Sequence, residues 1–201
     1  VLDFDGIGTG DTLLLRAHDD ISINAAIFAS VAGGDNLSLN FVANKVGGGP
    51  TGVVNVAAAV CTASGTFTSS GLAFINTAAI TTSNGTVSIT ATGPTGDITI
   101  GALIDAGTAT VNLTAGRNII STAGAGLNLR AGTANLIAGQ DVAATGTIGV
   151  GVDNMQTDVD TSLSLNADTT AANAIVLQNL IGGQVAIGPA SGAVGAGGQL
   201  R

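Results

Sequence analysis

The chain has 201 residues, 45% of them apolar and 9% charged, with a net charge of −8 and neither Trp nor Tyr. It is too apolar for a disordered chain despite its 31 glycines. One Lys and four Arg against 13 acidic residues exclude a nucleic-acid backbone or an anionic lipid surface as partner, and no run approaches the roughly 18 apolar residues of a membrane-spanning helix.

All of the acidic residues are Asp, which suits turns, and none is Glu, which suits helices. Taken in chain order, the first stretch is LDFDGIGTGDT from Leu2. Asp3-Phe4-Asp5-Gly6 resembles the nucleophile motif of haloacid-dehalogenase-type phosphatases, in which one Asp attacks phosphorus and the next serves as acid and base. That chemistry also needs a distant Lys, magnesium-binding carboxylates and crossover helices. Lys45 is the sole lysine, and the pattern that follows is not helical. Asp3, Asp5 and Asp11 among glycines are the residues best placed to hold calcium, since Gly10-Asp11-Thr12-Leu13 and Gly34-Asp35-Asn36-Leu37 echo a calcium-binding β-helix repeat. Both are one residue too compact, so the expectation is no resident metal and no cofactor, with calcium at these Asp residues as the alternative.

From Leu13 onward one pattern recurs: apolar, any, apolar, then Asn, Thr or Arg, then usually Ala. It reads LLLRA at Leu13, LSLNF at Leu37, VSITA at Val87, VNLTA at Val111, LNLRA at Leu127 and LSLNA at Leu163, with weaker members at Phe67, Ile148 and Val185. Each unit carries a second alternating piece, such as ISI at Ile21, VVNV at Val53, ITI at Ile98 and NII at Asn118. Period-two alternation buries one face of each piece, and two or three short pieces between Gly-rich corners cannot fold as helices. Winding each unit into one coil of a solenoid solves this, because neighbouring coils pair in parallel and stack like upon like. The expected architecture is all-β: a right-handed parallel β-helix of about nine coils, 15–30 residues each, forming one segment over 1–201. At about 4.8 Å per coil the nine would make a rod of roughly 43 Å.

The longest step holds a protruding loop at 44–52, and a second loop is expected at 153–162. The segment AANAIVLQNLIGG from Ala171 is read as strand. Asn24, Asn40, Asn76 and Asn166 follow strand pieces and are expected to stack as a ladder at a coil corner.

Little else carries chemistry. His18, the only histidine, cannot assemble a zinc site or a Ser-His-Asp triad and reads as a solvated turn residue beside Asp19 and Asp20. Cys61 is the only cysteine, so it forms no internal disulfide, and its apolar setting predicts a buried, inert thiol. Asp153, Asp158 and Asp160 lack the rest of an EF-hand loop. Thr-x-Thr pairs at Thr66, Thr90, Thr108 and Thr145 are too unevenly spaced for a regular ice-binding array. Sequons at Asn36, Asn84 and Asn112 are expected by chance in such a composition.

The strings LTAGRNIIST at Leu113, IAGQDVAATG at Ile137 and LRAHDDISINAAI at Leu15 resemble the repetitive shafts of filamentous-haemagglutinin-like exoproteins of Gram-negative bacteria, over about residues 11–188. The resemblance implies a right-handed parallel β-helix, secretion to the cell surface by two-partner secretion or as an autotransporter passenger, and a role in adhesion, biofilm or contact between cells. It implies a surface receptor as partner and supplies no catalytic residue. The opening VLDFDG and the closing GGQLR fit a segment of a longer shaft. Two alternatives remain: a fibre subunit adding end to end to its own copies through unpaired terminal backbone, and a β-helical carbohydrate-active enzyme. The absence of Trp and Tyr removes the aromatic platforms that sugar-binding clefts favour, so the expectation is a non-enzyme.

Overall fold

The structure is a computed structural model that describes residues 2–3, 9–30, 36–44, 51–93, 95–123, 126–139, 147–148, 155–167, 174–175, 177–179, 184–187 and 199–200. Every strand pairing within it is parallel, and no helix occurs among the described residues. The fold is a parallel β-solenoid, and its strands lie on three faces that the chain visits in turn.

β1 (Leu2–Asp3) lies on the face here named C. The first full turn runs through β2 (Thr9–Arg16) on face A, β3 (Ile21–Ile23) on face B and β4 (Ile27–Phe28) on face C, where β4 pairs with β1. The second repeats this with β5 (Asn36–Val42), β6 (Val53–Val56) and β7 (Val60–Cys61). The third uses β8 (Phe67–Gly71), β9 (Ala73–Asn76) and β10 (Ile80–Thr81), and the fourth β11 (Val87–Ala91), β12 (Ile98–Ile100) and β13 (Ile104–Asp105). The fifth comprises β14 (Thr110–Ala115), β15 (Ile119–Ser121) and the start of β16 (Leu129–Ala138).

β16 then rounds the corner without a break. Leu129 and Arg130 pair with β13 on face C, whereas Thr133 to Ile137 pair with β14 on face A. β17 (Met155–Ala167) repeats that path one level on, and β19 (Leu177–Asn179) and β20 (Gln184–Ile187) pair with it on faces C and A. β18 (Ala174–Ile175) and β21 (Gln199–Leu200) pair with each other. The segment read as strand near Ala171 is strand where it is described.

The core consists of columns fixed by register. On face A, Leu39, Phe67, Val87, Val111, Ala134 and Leu163 stack in one column, and Phe41, Ser69, Ile89, Leu113, Leu136 and Leu165 in the next. On face B, Val54, Phe74, Ile98 and Ile119 continue from Ile21. Face C contributes Ile27, Val60, Ile80, Ile104 and Leu129. All of these side chains are buried, and successive levels lie about 4.8 Å apart, so each column is in continuous van der Waals contact. Phe41, Phe67 and Phe74 meet edge to face, with ring centroids 5.6 and 6.2 Å apart.

Three expectations need correction. Five complete turns, not nine coils, carry all three faces among the described residues, about 24 Å of rod at the parallel-strand spacing, and face A continues beyond them through β16, β17 and β20. The units at Leu127 and Ile148 are not coils of their own. The first is the approach to β16 on face C, and Ile148 bridges Ile119 on face B. Alternation marks a strand but not the face on which it lies. The loop expected at 153–162 is strand from Met155 onward, because Val159 and Met155 are buried and β16 offers a free edge to pair. In the stretch 44–52, Asn44, Thr51 and Gly52 lie between strands β5 and β6, and 45–50 fall outside the described residues.

Candidate functional site

The residues singled out from sequence are scattered. Asp3 is on face C opposite Phe28, and Asp11 is exposed on face A opposite Leu37. Asp5 lies outside the described residues, as do Asp35 and Asp153. No group of three or more His, Cys, Asp or Glu gathers around a common point among the described residues. Among the described residues there is no crossover helix of the kind a haloacid-dehalogenase-type phosphatase would need. His18 is 70% exposed, with Nδ1 3.4 Å from Asp19 Oδ1, in keeping with a solvated turn residue. Cys61 is half-buried rather than buried, because it faces outward on face C between Phe28 and Thr81, and its thiol contacts the Ala29 carbonyl oxygen at 3.6 Å.

The expected Asn ladder also forms elsewhere. Asn24 is exposed at a corner and Asn40 points outward on face A. Asn76 lies inside face B between Val56 and Ile100, where its Nδ2 donates to the carbonyls of Ala78 and Ala102. Asn166 is in β17. The ladder that does form runs down face A: Asn135 Nδ2 donates to Asn112 Oδ1 at 2.8 Å, and Asn112 Nδ2 reaches Ser88 Oγ at 3.5 Å.

Around it, face A presents an uncharged outer surface over turns two to five. Ser38, Asn40 and Val42 lead to Thr68 and Ser70, then Ser88 and Thr90, then Thr110, Asn112 and Thr114. Hydroxyls and amides predominate among these residues, and none of them is a carboxylate. The uneven Thr-x-Thr spacing of the sequence is taken up by connections of different length, so hydroxyl columns are more regular in space than in sequence.

Charge and polarity concentrate instead at the corners, where the side chain of one turn serves the backbone of the next. At the entry to face B, Asp20 Oδ1 accepts from Val53 N at 2.8 Å, Asp97 Oδ1 from Asn118 N at 3.1 Å, and Asn118 Oδ1 from Thr147 N at 3.0 Å. At the entry to face C, buried Asn128 Oδ1 accepts from Gln156 N at 2.9 Å. Corner N–H groups have no strand partner and must be satisfied some other way. The sequence holds a signal for this: an Asp or Asn immediately before the isoleucine that opens a face-B strand, as in Asp20-Ile21, Asp97-Ile98 and Asn118-Ile119.

Two arginines bind these levels together. Arg117 Nε donates to Asp97 Oδ1 at 2.8 Å, and Nη2 bonds Oδ2. The Asp97 hydrogen bond, aided by its charge and opposed by burial, holds Arg117 above the ordinary arginine range. Arg130 lies on face C between carboxylates of the turns on either side, with Nη1 3.1 Å from Asp105 Oδ2 and Nε 3.3 Å from Asp158 Oδ2. The charge of Asp105 first, then the hydrogen bond to Asp158, raises Arg130 in the same sense. The guanidinium fills the space between the two carboxylates, so they form an inter-turn clamp rather than an open pair facing a substrate.

No protein-family model, curated protein or solved structure matches the chain.

Proposed function

We propose that the chain is a shaft segment of a secreted bacterial cell-surface adhesin, a rigid spacer that carries no catalysis of its own. The observation that supports this most is the continuous parallel pairing of face A from β2 to β20, with every strand there bonded to the next level. A dry aliphatic column beneath an uncharged hydroxyl and amide surface transmits length and stiffness without requiring a ligand. The carboxylates with assigned partners at the corners are tied to backbone N–H groups or arginines of the neighbouring turn, a structural use of groups that an enzyme would aim into a cleft. Among the described residues no helix is long and apolar enough to cross a membrane. The receptor, in this reading, belongs to another part of the surface protein.

The test has two arms. Purified chain is imaged by negative-stain electron microscopy and incubated with a panel of bacterial and plant polysaccharides. In parallel, it is displayed on a bacterial surface beneath a known binding domain, with and without the fourth turn. The expected outcome is single short rods, no release of reducing ends, and a binding domain carried closer to the cell when the turn is removed. Long filaments from dilute solution would replace the spacer by a self-assembling fibre, and released sugar ends would replace it by an enzyme.

A further inference from the structure

Face C passes to face A through stacked tight turns, and one of them contains the only Asn-Gly pair in the sequence, Asn84-Gly85. Thr62 to Gly65 and Thr82 to Gly85 each close with the fourth N–H donating to the first carbonyl, at 3.1 and 3.2 Å. Their central residues have positive φ, +51° at Ser83 and +79° at Asn84, which is the I′ pattern. Gly85 is required there, since a Cβ on it would lie 2.0 Å from the Gly65 carbonyl oxygen. The Asn84 side chain is drawn the other way, toward the following turn: its Oδ1 accepts from Thr108 N at 2.9 Å and from Thr108 Oγ1 at 3.0 Å. The backbone nitrogen of Gly85, meanwhile, is directed at Thr82. The nucleophile and the electrophile of Asn-Gly ring closure are thus adjacent in the chain but separately tied.

We propose that Asn84-Gly85 is a conformationally gated modification site, intact while the third, fourth and fifth turns are stacked and converted when that corner opens. In the open state the Gly85 nitrogen attacks Asn84 Cγ and loses its proton, a C–N bond forms, and the side-chain nitrogen leaves as ammonia. Water then opens the cyclic imide at either carbonyl, giving aspartate or isoaspartate, with no redox change. Isoaspartate lengthens the main chain by one carbon at a corner that has no room for even a Cβ, so the opened turn cannot restack. Conversion to isoaspartate thus leaves a permanent defect in the rod, at a rate set by how much of the time the corner is open.

Purified chain is incubated at pH 8 and 37 °C, native or in 8 M urea, and the mass increase at Asn84 and isoaspartate content are followed by peptide mass spectrometry and methyltransferase labelling. Conversion in urea is expected to exceed the native rate by more than about tenfold, the factor set by a modest local opening free energy. Thr108→Val, which removes only the hydroxyl donor, is expected to raise the native rate roughly fivefold and leave the urea rate unchanged. Equal rates in the native and unfolded chain, or earlier conversion at another Asn in urea, would overturn the assignment. Should the variant fail to fold, the native and urea rates of the unaltered chain decide alone.

Discussion

At the scale of single residues, the core is ordered by column, and the exceptions are informative. Ser69 is 2% exposed and sits in the face-A column between Phe41 and Ile89, where the other described members are large and apolar. Its Oγ makes no hydrogen bond. A buried hydroxyl without a partner costs its full desolvation. Ser69→Ala is therefore expected to stabilise the protein by about 1 kcal/mol, read as a higher urea midpoint with unchanged slope. Asn76 is satisfied on one side only: it too points into the lumen, and its Oδ1 makes no hydrogen bond, but two carbonyls accept from its Nδ2, so the amide has a structural use as a corner staple. Neither role is visible in a string of letters, where Ser69 reads as an ordinary member of an alternating strand and Asn76 as a rung of a corner ladder.

Corners set the limits at the scale of elements. β16 and β17 each cross from face C to face A in one strand, and the register shifts between Ala131 and Thr133, where β17 holds one extra residue. Gly132 sits at that shift. A Cβ there would lie 2.1 Å from the Thr108 carbonyl oxygen, a backbone atom of a preceding corner whose Thr108 N is itself held by Asn84 Oδ1. Gly132→Ala is expected to cost about 2–3 kcal/mol, as overpacking in a region that cannot relax, measurable by thermal or urea denaturation. The strands themselves were legible. Face B runs through the ISI, VVNV, ITI and NII pieces, because alternation and aliphatic content report burial directly. What escaped was the identity of each face. LNLRA at Leu127 has the same alternation as VNLTA at Val111, and only pairing distinguishes a face-C approach from a face-A strand. Ala134, the true face-A successor of Val111, has too small a side chain to announce itself.

For the whole molecule, the question is what holds successive turns in register beyond burial. Arg130 is 48% exposed, while Asp105 and Asp158 are 19% and 14% exposed, and the two carboxylates belong to turns two levels apart. Removing the cation leaves like charges facing each other in a chain already at −8. Arg130→Ala is expected to lower stability by about 1 kcal/mol at low ionic strength, and the loss should shrink in 1 M salt, where screening acts within about 3 Å. The sign of the pH dependence follows from the raised arginines. A cation held above its unfolded pKa stabilises the fold at every pH below the arginine range and loses that contribution only as pH climbs through it. The difference between Arg130→Ala and the unaltered chain should accordingly stay constant from neutral to moderately alkaline pH, as urea titrations at several pH values would establish. Because each turn of a solenoid touches only its neighbours, stability is close to a sum of turn and interface contributions, so a defect at one corner weakens the rod locally.

The sequence by itself determined the class of this protein: all-β, parallel, repetitive, with an aliphatic interior and an exterior of hydroxyls and amides. These follow from side-chain periodicity and glycine placement, which are local properties of the chain. Only the tertiary structure decided how many turns there are, which strand lies on which face, and which Asp or Asn serves the backbone of the turn above. Those outcomes depend on partners 20 to 30 residues away, and register is an energy of pairing between turns that no single turn contains.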